Sequence, residues 1–136
     1  MHRSFLICGA SFAALAVILG AFGAHSLKQI VALESLSTFE TGVRYHFYHS
    51  FALLATGMLY ERFRSKWIRF AGYGFITGII LFSGSLYMIT LIQATQMVGL
   101  KGIGIITPFG GLFFIASWIA LIIGFSTKNQ SPLKSI

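Results

Sequence analysis

The sequence predicts an all-α membrane protein: a compact antiparallel bundle of four transmembrane helices that forms one domain over residues 1–136, with both termini in the cytoplasm. Hydrophobic residues make up 56% of the chain, and its mean hydropathy is +0.81, far above the usual soluble composition. Charged residues make up only 10%, against about 25% in soluble domains. A globule of this size lacks the polar surface that water requires, whereas a bilayer removes that need.

The first predicted helix covers residues 4–25. No charged residue lies between Arg3 and Lys28. A helix rises about 1.5 Å per residue, so this run is long enough to cross a hydrocarbon core of about 30 Å. The small residues Gly23 and Ala24 also resemble the cleavage region of a secretory signal peptide. We expect the segment to be retained as a span.

The second predicted helix covers residues 38–60. The uncharged window 45–60 is too short for a full crossing, so the helix is expected to begin earlier. Ser37 and Glu40 have capping-box spacing, in which each side chain satisfies a free amide at a helix start. This start makes Glu40 and Arg44 an i,i+4 pair near the membrane interface, where both charges can stay partly hydrated.

The third predicted helix covers residues 68–92. The uncharged run 70–100 is longer than one crossing requires, so the helix is expected to end before the run does. A glycine-containing loop around Lys101 is predicted to follow.

The fourth predicted helix covers residues 107–127. Thr107 is predicted as its N-cap and Pro108 as its first residue, because proline lacks an amide hydrogen that would have no partner there. Residues 128–136 are predicted to form a short flexible tail.

The basic residues predict the orientation, since Lys and Arg are retained on the cytoplasmic side of a membrane. The net charge of +7 therefore indicates membrane topology, and no nucleic-acid partner is predicted because the basic residues line no single face. With four spans, seven basic residues lie on the side of the termini and three on the other: Arg3, Arg62, Arg64, Lys66, Arg69, Lys128 and Lys134 against Lys28, Arg44 and Lys101.

Small residues recur on one face of three predicted helices. Such faces allow close approach of helix backbones, which matters in lipid because apolar association alone contributes little there. A compact bundle is the expected result. The faces consist of Gly9, Ala13, Ala16, Gly20 and Ala24 in the first helix, Gly74, Gly78 and Ser85 in the third, and Gly110, Ser117 and Gly124 in the fourth.

Several classes of chemistry are excluded by composition. The chain contains no Asp, and Cys8 is its single cysteine, so neither paired aspartates nor a disulfide is available. A polar stripe on one face of the second helix consists of Thr41, Tyr45, Tyr48, His49, Ala52 and Thr56. His46 and His49 are three residues apart, but His46 is turned about 60° from this stripe. No carboxylate lies at a convenient third position, so no metal site is predicted.

Polar residues inside the predicted spans converge on the non-cytoplasmic half of the bundle. Polar side chains in lipid face the bundle interior or a cavity, so we expect an outward-opening pocket. The candidate pocket residues are His25, Thr41, Tyr45, His49, Ser83, Ser85, Tyr87 and Thr107.

His49 is the deepest ionisable group of this set. With His25 from the neighbouring helix it could hold a haem or a metal, or exchange protons with a quinone headgroup. The alternative is a neutral histidine that forms a hydrogen bond with Ser83, Ser85 or a backbone carbonyl. These residues indicate no single cofactor.

Four motifs in chain order carry a family resemblance: GAFGAH at residues 20–25, TGVRYHFYH at 41–49, FSGSLY at 82–87 and TPFGG at 107–111. With them the chain resembles domain-of-unknown-function family 423, over nearly its whole length. The resemblance implies a small protein of the bacterial inner membrane, with a mitochondrial counterpart in eukaryotes, and implies no activity. The motif residues are His25, Thr41, Gly42, Tyr45, His49, Ser83, Gly84, Ser85, Tyr87, Thr107, Pro108, Gly110 and Gly111.

Three functional hypotheses follow. The leading one is a non-enzymatic protein of the lipid bilayer that packs against a membrane partner or binds a lipid-like ligand in the polar pocket. The second is a membrane redox or transfer enzyme that uses haem or a quinone through His25 and His49. The third is an oligomeric transporter or channel for small solutes, indicated by the small-residue faces and the abundant glycine.

Overall fold

The computed structural model describes residues 1–95 and 102–127, and every regular element in these two ranges is a helix. The predicted all-α class is confirmed for them. The predicted loop around Lys101, the tail 128–136 and its basic residues lie outside the described residues. Four long helices are present: α1 (Arg3–His25), α2 (Leu33–Leu59), α3 (Lys66–Thr95) and α4 (Ile106–Ser126). Short 3-10 turns at Leu27–Gln29 and Ile103–Ile105 precede α2 and α4.

Among the described residues, three segments are long and apolar enough to cross a membrane: Arg3–Gln29, Lys66–Thr95 and Ile103–Ser126. They contain α1, α3 and α4. α2 is 27 residues long, but its charged and histidine side chains make it more polar than the other three helices. The number of crossings and the orientation of the chain stay predictions.

α2 begins five residues before the predicted start, and the predicted capping box is wrong. Ala32 is the N-cap residue and offers no side-chain hydrogen bond, whereas Glu34 lies in the first turn, where its negative charge suits the positive end of the helix. Ser37 and Glu40 lie inside the helix. The hydroxyl of Thr38 donates to the Glu34 carbonyl at 3.1 Å, so this polar residue is satisfied without a cap.

The start of α4 also differs from the prediction. Its N-cap residue is Ile105, at the end of a 3-10 turn, so the predicted capping role of Thr107 is wrong. Pro108 still lies in the first turn, where no amide hydrogen is needed. At α3 the structure adds a cap, because the Ser65 hydroxyl accepts from the amides of Trp67 and Ile68.

Consecutive helices run antiparallel and meet at glycines. On α1 and α2, Gly9 lies against Leu54, and Gly23 near the end of α1 lies against Phe39 near the start of α2. Most of the predicted small-residue face of α1 is covered, with Gly9 and Ala16 buried, but at the end of the helix Gly23 is buried and Ala24 is exposed. α2 therefore lies between α1 on one side and the α3–α4 pair on the other. The buried core at this junction includes Phe5, Leu53, Ile68, Ala71, Phe75 and Phe114.

α3 is interrupted by a π-helical turn, Ile79–Ser83, which separates its two α-helical parts, Lys66–Gly78 and Gly84–Thr95. A π turn inserts an extra residue and displaces the local backbone. At this point α4 approaches closely, because a side chain at Gly110 would meet the backbone nitrogen and Cα of Phe82. The π turn and Gly110 thus fix how near α3 and α4 lie to each other.

Candidate functional site

His49 lies at the junction of α2 and α4 and is almost fully buried. Its Nδ1 is 2.7 Å from the Tyr45 carbonyl, and Trp118 donates its indole N–H to Nε2 at 3.3 Å. A carbonyl can only accept and an indole N–H can only donate, so the ring is the neutral tautomer with hydrogen on Nδ1. The ring also stacks on Phe114, with centroids 3.4 Å apart and planes at 7°. The backbone-carbonyl alternative for His49 is the arrangement that the structure contains.

These contacts bear directly on a cofactor role. A metal or haem iron bound by His49 would need the Nε2 lone pair, which accepts from Trp118. His25 is exposed at the end of α1, and its Nδ1 is 2.9 Å from the Ala21 carbonyl of the same helix. Each histidine is therefore held by hydrogen bonds to its own helix, and coordination by His49 requires loss of the Trp118 contact.

We expect nitrogen NMR of ¹⁵N-histidine-labelled protein in micelles to report His49 as the Nδ1–H tautomer, with a hydrogen-bonded acceptor nitrogen at Nε2. Trp118→Phe removes the donor, so the Nε2 resonance should move while Nδ1 stays nearly unchanged. Trp67→Phe is the matched control, because Trp67 lies at the start of α3 and is expected to move neither signal. A ring protonated on Nε2 alone would contradict this arrangement.

His46 is a buried histidine that the sequence placed outside the pocket. Only 2% of it is exposed, its Nδ1 lies 3.1 Å from the Tyr87 hydroxyl, and its ring meets Phe12 edge-on. Within the described residues its Nε2 has no hydrogen-bond partner. His46 is buried although it is turned about 60° from the polar stripe of α2, because α1 covers α2 on one side and α3 covers it on another.

Ser85 and Thr107 join α3 to α4. The Ser85 hydroxyl is 2.8 Å from the Phe82 carbonyl in the π turn and 2.6 Å from the Thr107 hydroxyl. Because Ser85 has one hydrogen and donates it to the carbonyl, Thr107 is the donor to Ser85. Ser83 lies two residues before Ser85, is fully buried, and has no hydrogen-bond partner among the described residues.

The structure divides the eight predicted pocket residues among separate locations. Tyr45 and His49 lie beside α4, Tyr87 binds His46, and Ser85 binds Thr107. His25 and Thr41 form hydrogen bonds within their own helices. The Thr41 hydroxyl donates to the Ser37 carbonyl at 2.9 Å. The role of these eight side chains in ligand binding stays a prediction.

A cavity of about 310 Å³ lies between α1 and α2, and none of the eight predicted residues lines it. It occupies the part of the interface near the end of α1, where Gly20 lies against Val43 and Gly23 against Phe39 of α2. No sequence pattern singled it out, because its volume arises from residues on two helices. Its lining consists of Gly20, Gly23, Phe39, Glu40, Val43 and Arg44.

The cavity carries two charges without an ionic partner. In the part of the chain that the structure describes, the recorded ion pair joins the N-terminal ammonium to Glu61 at 2.7 Å, and the predicted i,i+4 pair of Glu40 and Arg44 is not formed. The hydrogen bond and charge of that ammonium lower the pKa of Glu61, which lies between α2 and α3. Glu40 and Arg44 are both exposed and face the cavity from consecutive turns of α2.

Comparison with known proteins gives one family and several relatives. The model of the family described as "Protein of unknown function (DUF423)" matches residues 19–111, which include the whole cavity lining. The UPF0382 membrane protein YwdK of Bacillus subtilis is 41% identical over 122 residues, covering 89% of this chain and 94% of the relative. The UPF0382 membrane protein SAB0533 of Staphylococcus aureus is 44% identical over 121 residues, covering 89% and 93%.

A more distant relative has a more specific name. The UPF0382 inner membrane protein YgdD of Escherichia coli is 33% identical over 122 residues, which cover 90% of this chain and 88% of the relative. No solved structure matches the chain.

Proposed function

The chain belongs to the DUF423 family and is a bacterial inner-membrane protein, and from this premise we propose that it binds a lipid-like amphiphile in the cavity between α1 and α2. The observation that carries this proposal is the cavity itself, which combines apolar walls with two unpaired charges. An amphiphile presents the same combination, an apolar chain joined to a charged headgroup. The activity is binding, and no chemical step is assigned.

The level of the cavity in the membrane favours an amphiphile over a water-soluble ligand. Gly20 and Gly23 lie in the last two turns of α1, which ends at His25. This is the level at which a spanning helix passes from hydrocarbon to headgroups. From the cavity toward the N-terminus of α1 the exposed side chains are apolar, among them Val17 and Ile18, so an acyl chain could lie along this part of the helix. A headgroup would then reach Arg44 from the lipid side.

The proposal includes four crossings, with both termini in the cytoplasm. α2 lies antiparallel along α1, from the contact of Gly57 with Leu6 to that of Gly23 with Phe39. Its low hydropathy is compatible with a span because its polar residues are largely buried between neighbours, where lipid does not reach them. The buried polar residues of α2 are Ser35, His46, His49, Ser50 and Thr56.

Single cysteines at the helix connections test the crossings. In a Cys8→Ser background, we expect Arg64→Cys to react with an impermeant maleimide only from the cytoplasmic side and Gly102→Cys only from the other side. Lys28→Cys is the control for the α1–α2 connection and should label with Gly102→Cys. Labelling of positions 64 and 102 from the same side would contradict four crossings.

Blocking the cavity tests the ligand. We expect Val43→Trp to fill the space and lower lipid retention about tenfold, measured by native mass spectrometry of protein extracted in mild detergent. Ile115→Trp is the matched control, because Ile115 is 59% exposed on α4 and does not line the cavity, so its retention should equal that of the unmodified chain. Equal retention by both variants would contradict binding in this cavity, as would an unmodified chain that retains no lipid.

A further inference from the structure

The two charged residues of the cavity have opposite signs but do not form an ion pair with each other. Glu40 and Arg44 lie four residues apart on α2, a rise of about 6 Å along the helix axis. Side chains at this spacing can form an ion pair, yet within residues 1–95 and 102–127 neither of these two is in one. Both line the cavity, so a carboxylate and a guanidinium are available there to one ligand.

Each charge restricts the ligand in a different way. The Arg44 guanidinium presents a planar set of N–H donors, which suits the two oxygens of a phosphate. The Glu40 carboxylate only accepts hydrogen bonds, so it favours a group with positive charge and N–H donors. A phosphate without a cation would place like charges beside each other at Glu40, because the two residues lie only one turn apart.

We propose that the cavity selects a phospholipid whose headgroup carries both a phosphate and a primary ammonium, as in phosphatidylethanolamine, with the phosphate on Arg44 and the ammonium on Glu40. This inference rests on the proposed function, since it identifies the amphiphile of the same cavity. The apolar side chains of Phe39 and Val43 line the same space and suit the glycerol and upper acyl carbons. A trimethylated headgroup has no N–H donor and therefore cannot form the hydrogen bond to Glu40.

The test is competition among three lipids with identical acyl chains: phosphatidylethanolamine, phosphatidylcholine and phosphatidylglycerol, at equal mole fractions in nanodiscs that hold the full chain. Native mass spectrometry after gentle release counts the retained lipids. We expect phosphatidylethanolamine to be retained about tenfold over each of the others. Glu40→Gln should abolish this preference and leave phosphatidylglycerol bound. Arg44→Gln should weaken the retention of all three. Glu34→Gln is the matched control, because Glu34 is exposed on the same helix outside the cavity.

The outcomes separate the two proposals. If phosphatidylglycerol or phosphatidylcholine is retained as well as phosphatidylethanolamine, or Glu40→Gln keeps the preference, the headgroup inference is overturned while amphiphile binding stands. If the unmodified chain retains none of the three, both proposals are overturned. Helical circular dichroism of each variant establishes that the protein is folded. Glu40→Gln and Glu34→Gln retain the side-chain size, and Arg44→Gln shortens a side chain at an exposed site.

Discussion

Replacement of Gly110 by alanine is expected to destabilise the protein by about 3 kcal/mol, near the upper end of the usual cost of overpacking. The added Cβ would meet the Phe82 backbone, including its Cα at 2.7 Å. A flexible side chain could turn away, but a backbone in a π turn cannot move without shifting both halves of α3. The helices would have to separate, which also strains the hydrogen bond between Ser85 and Thr107.

The neighbouring glycine provides the control. At Gly111 the nearest atoms to an added Cβ belong to the Phe82 ring at 3.8 and 3.9 Å, which is ordinary van der Waals contact. Gly111→Ala should therefore change stability by less than about 0.5 kcal/mol. Unfolding in mixed micelles with increasing dodecyl sulfate, followed by circular dichroism, compares the two. Equal midpoints for both variants would contradict the close approach of α3 and α4.

The second large effect concerns the pair of Gly78 on α3 and Phe114 on α4. Phe114 is 4% exposed and stacks on His49, so Phe114→Ala should leave a void and cost about 3 to 5 kcal/mol. Gly78→Ala should be destabilising for the opposite reason, because its Cβ would overlap the Phe114 ring. Each change alters the volume at one contact, with opposite sign.

The double variant distinguishes a direct contact from two independent losses. With alanine at both positions, the Gly78 methyl group enters space that the ring vacated, so the total loss should be smaller than the sum of the single losses by at least about 1 kcal/mol. The same dodecyl sulfate titration measures all three proteins. A control cycle pairs Phe114→Ala with Gly104→Ala, which should be additive because an added Cβ at Gly104 would meet no atom within 4 Å. Additive losses for Gly78 and Phe114 would show that these residues do not share one packing site.

The long apolar helices were predictable because their signal is local. An uncharged run and its flanking basic residues identify a span without knowledge of its neighbours, and the ends of α1, α3 and α4 differ from the predicted ends by at most three residues. The start of α2 was not predictable in this way. Ser37 and Glu40 resemble a capping box in sequence, yet Thr90 of α3 donates to the Ser35 carbonyl, so a neighbouring helix covers the first turns of α2.

The candidate site was less predictable because its features depend on which helices are adjacent. His46 and His49 differ by three positions, and both are buried since α2 has neighbours on more than one side. The charged cavity needs Gly20 of α1 opposite Val43 of α2, a register that the sequence of neither helix determines alone. Glycine spacing predicted close approach, but not the places where approach leaves space.

The central position of α2 has a consequence for how the protein enters the membrane. An isolated α2 would expose its histidines and hydroxyls to acyl chains as it leaves the translocon, at a cost that its apolar residues offset poorly. Its longest contact is with α1, which precedes it in synthesis and is connected to it by only a short turn. In a four-span arrangement, α1 would therefore cover the polar residues of α2 during insertion, and the two helices would enter the lipid together as a hairpin.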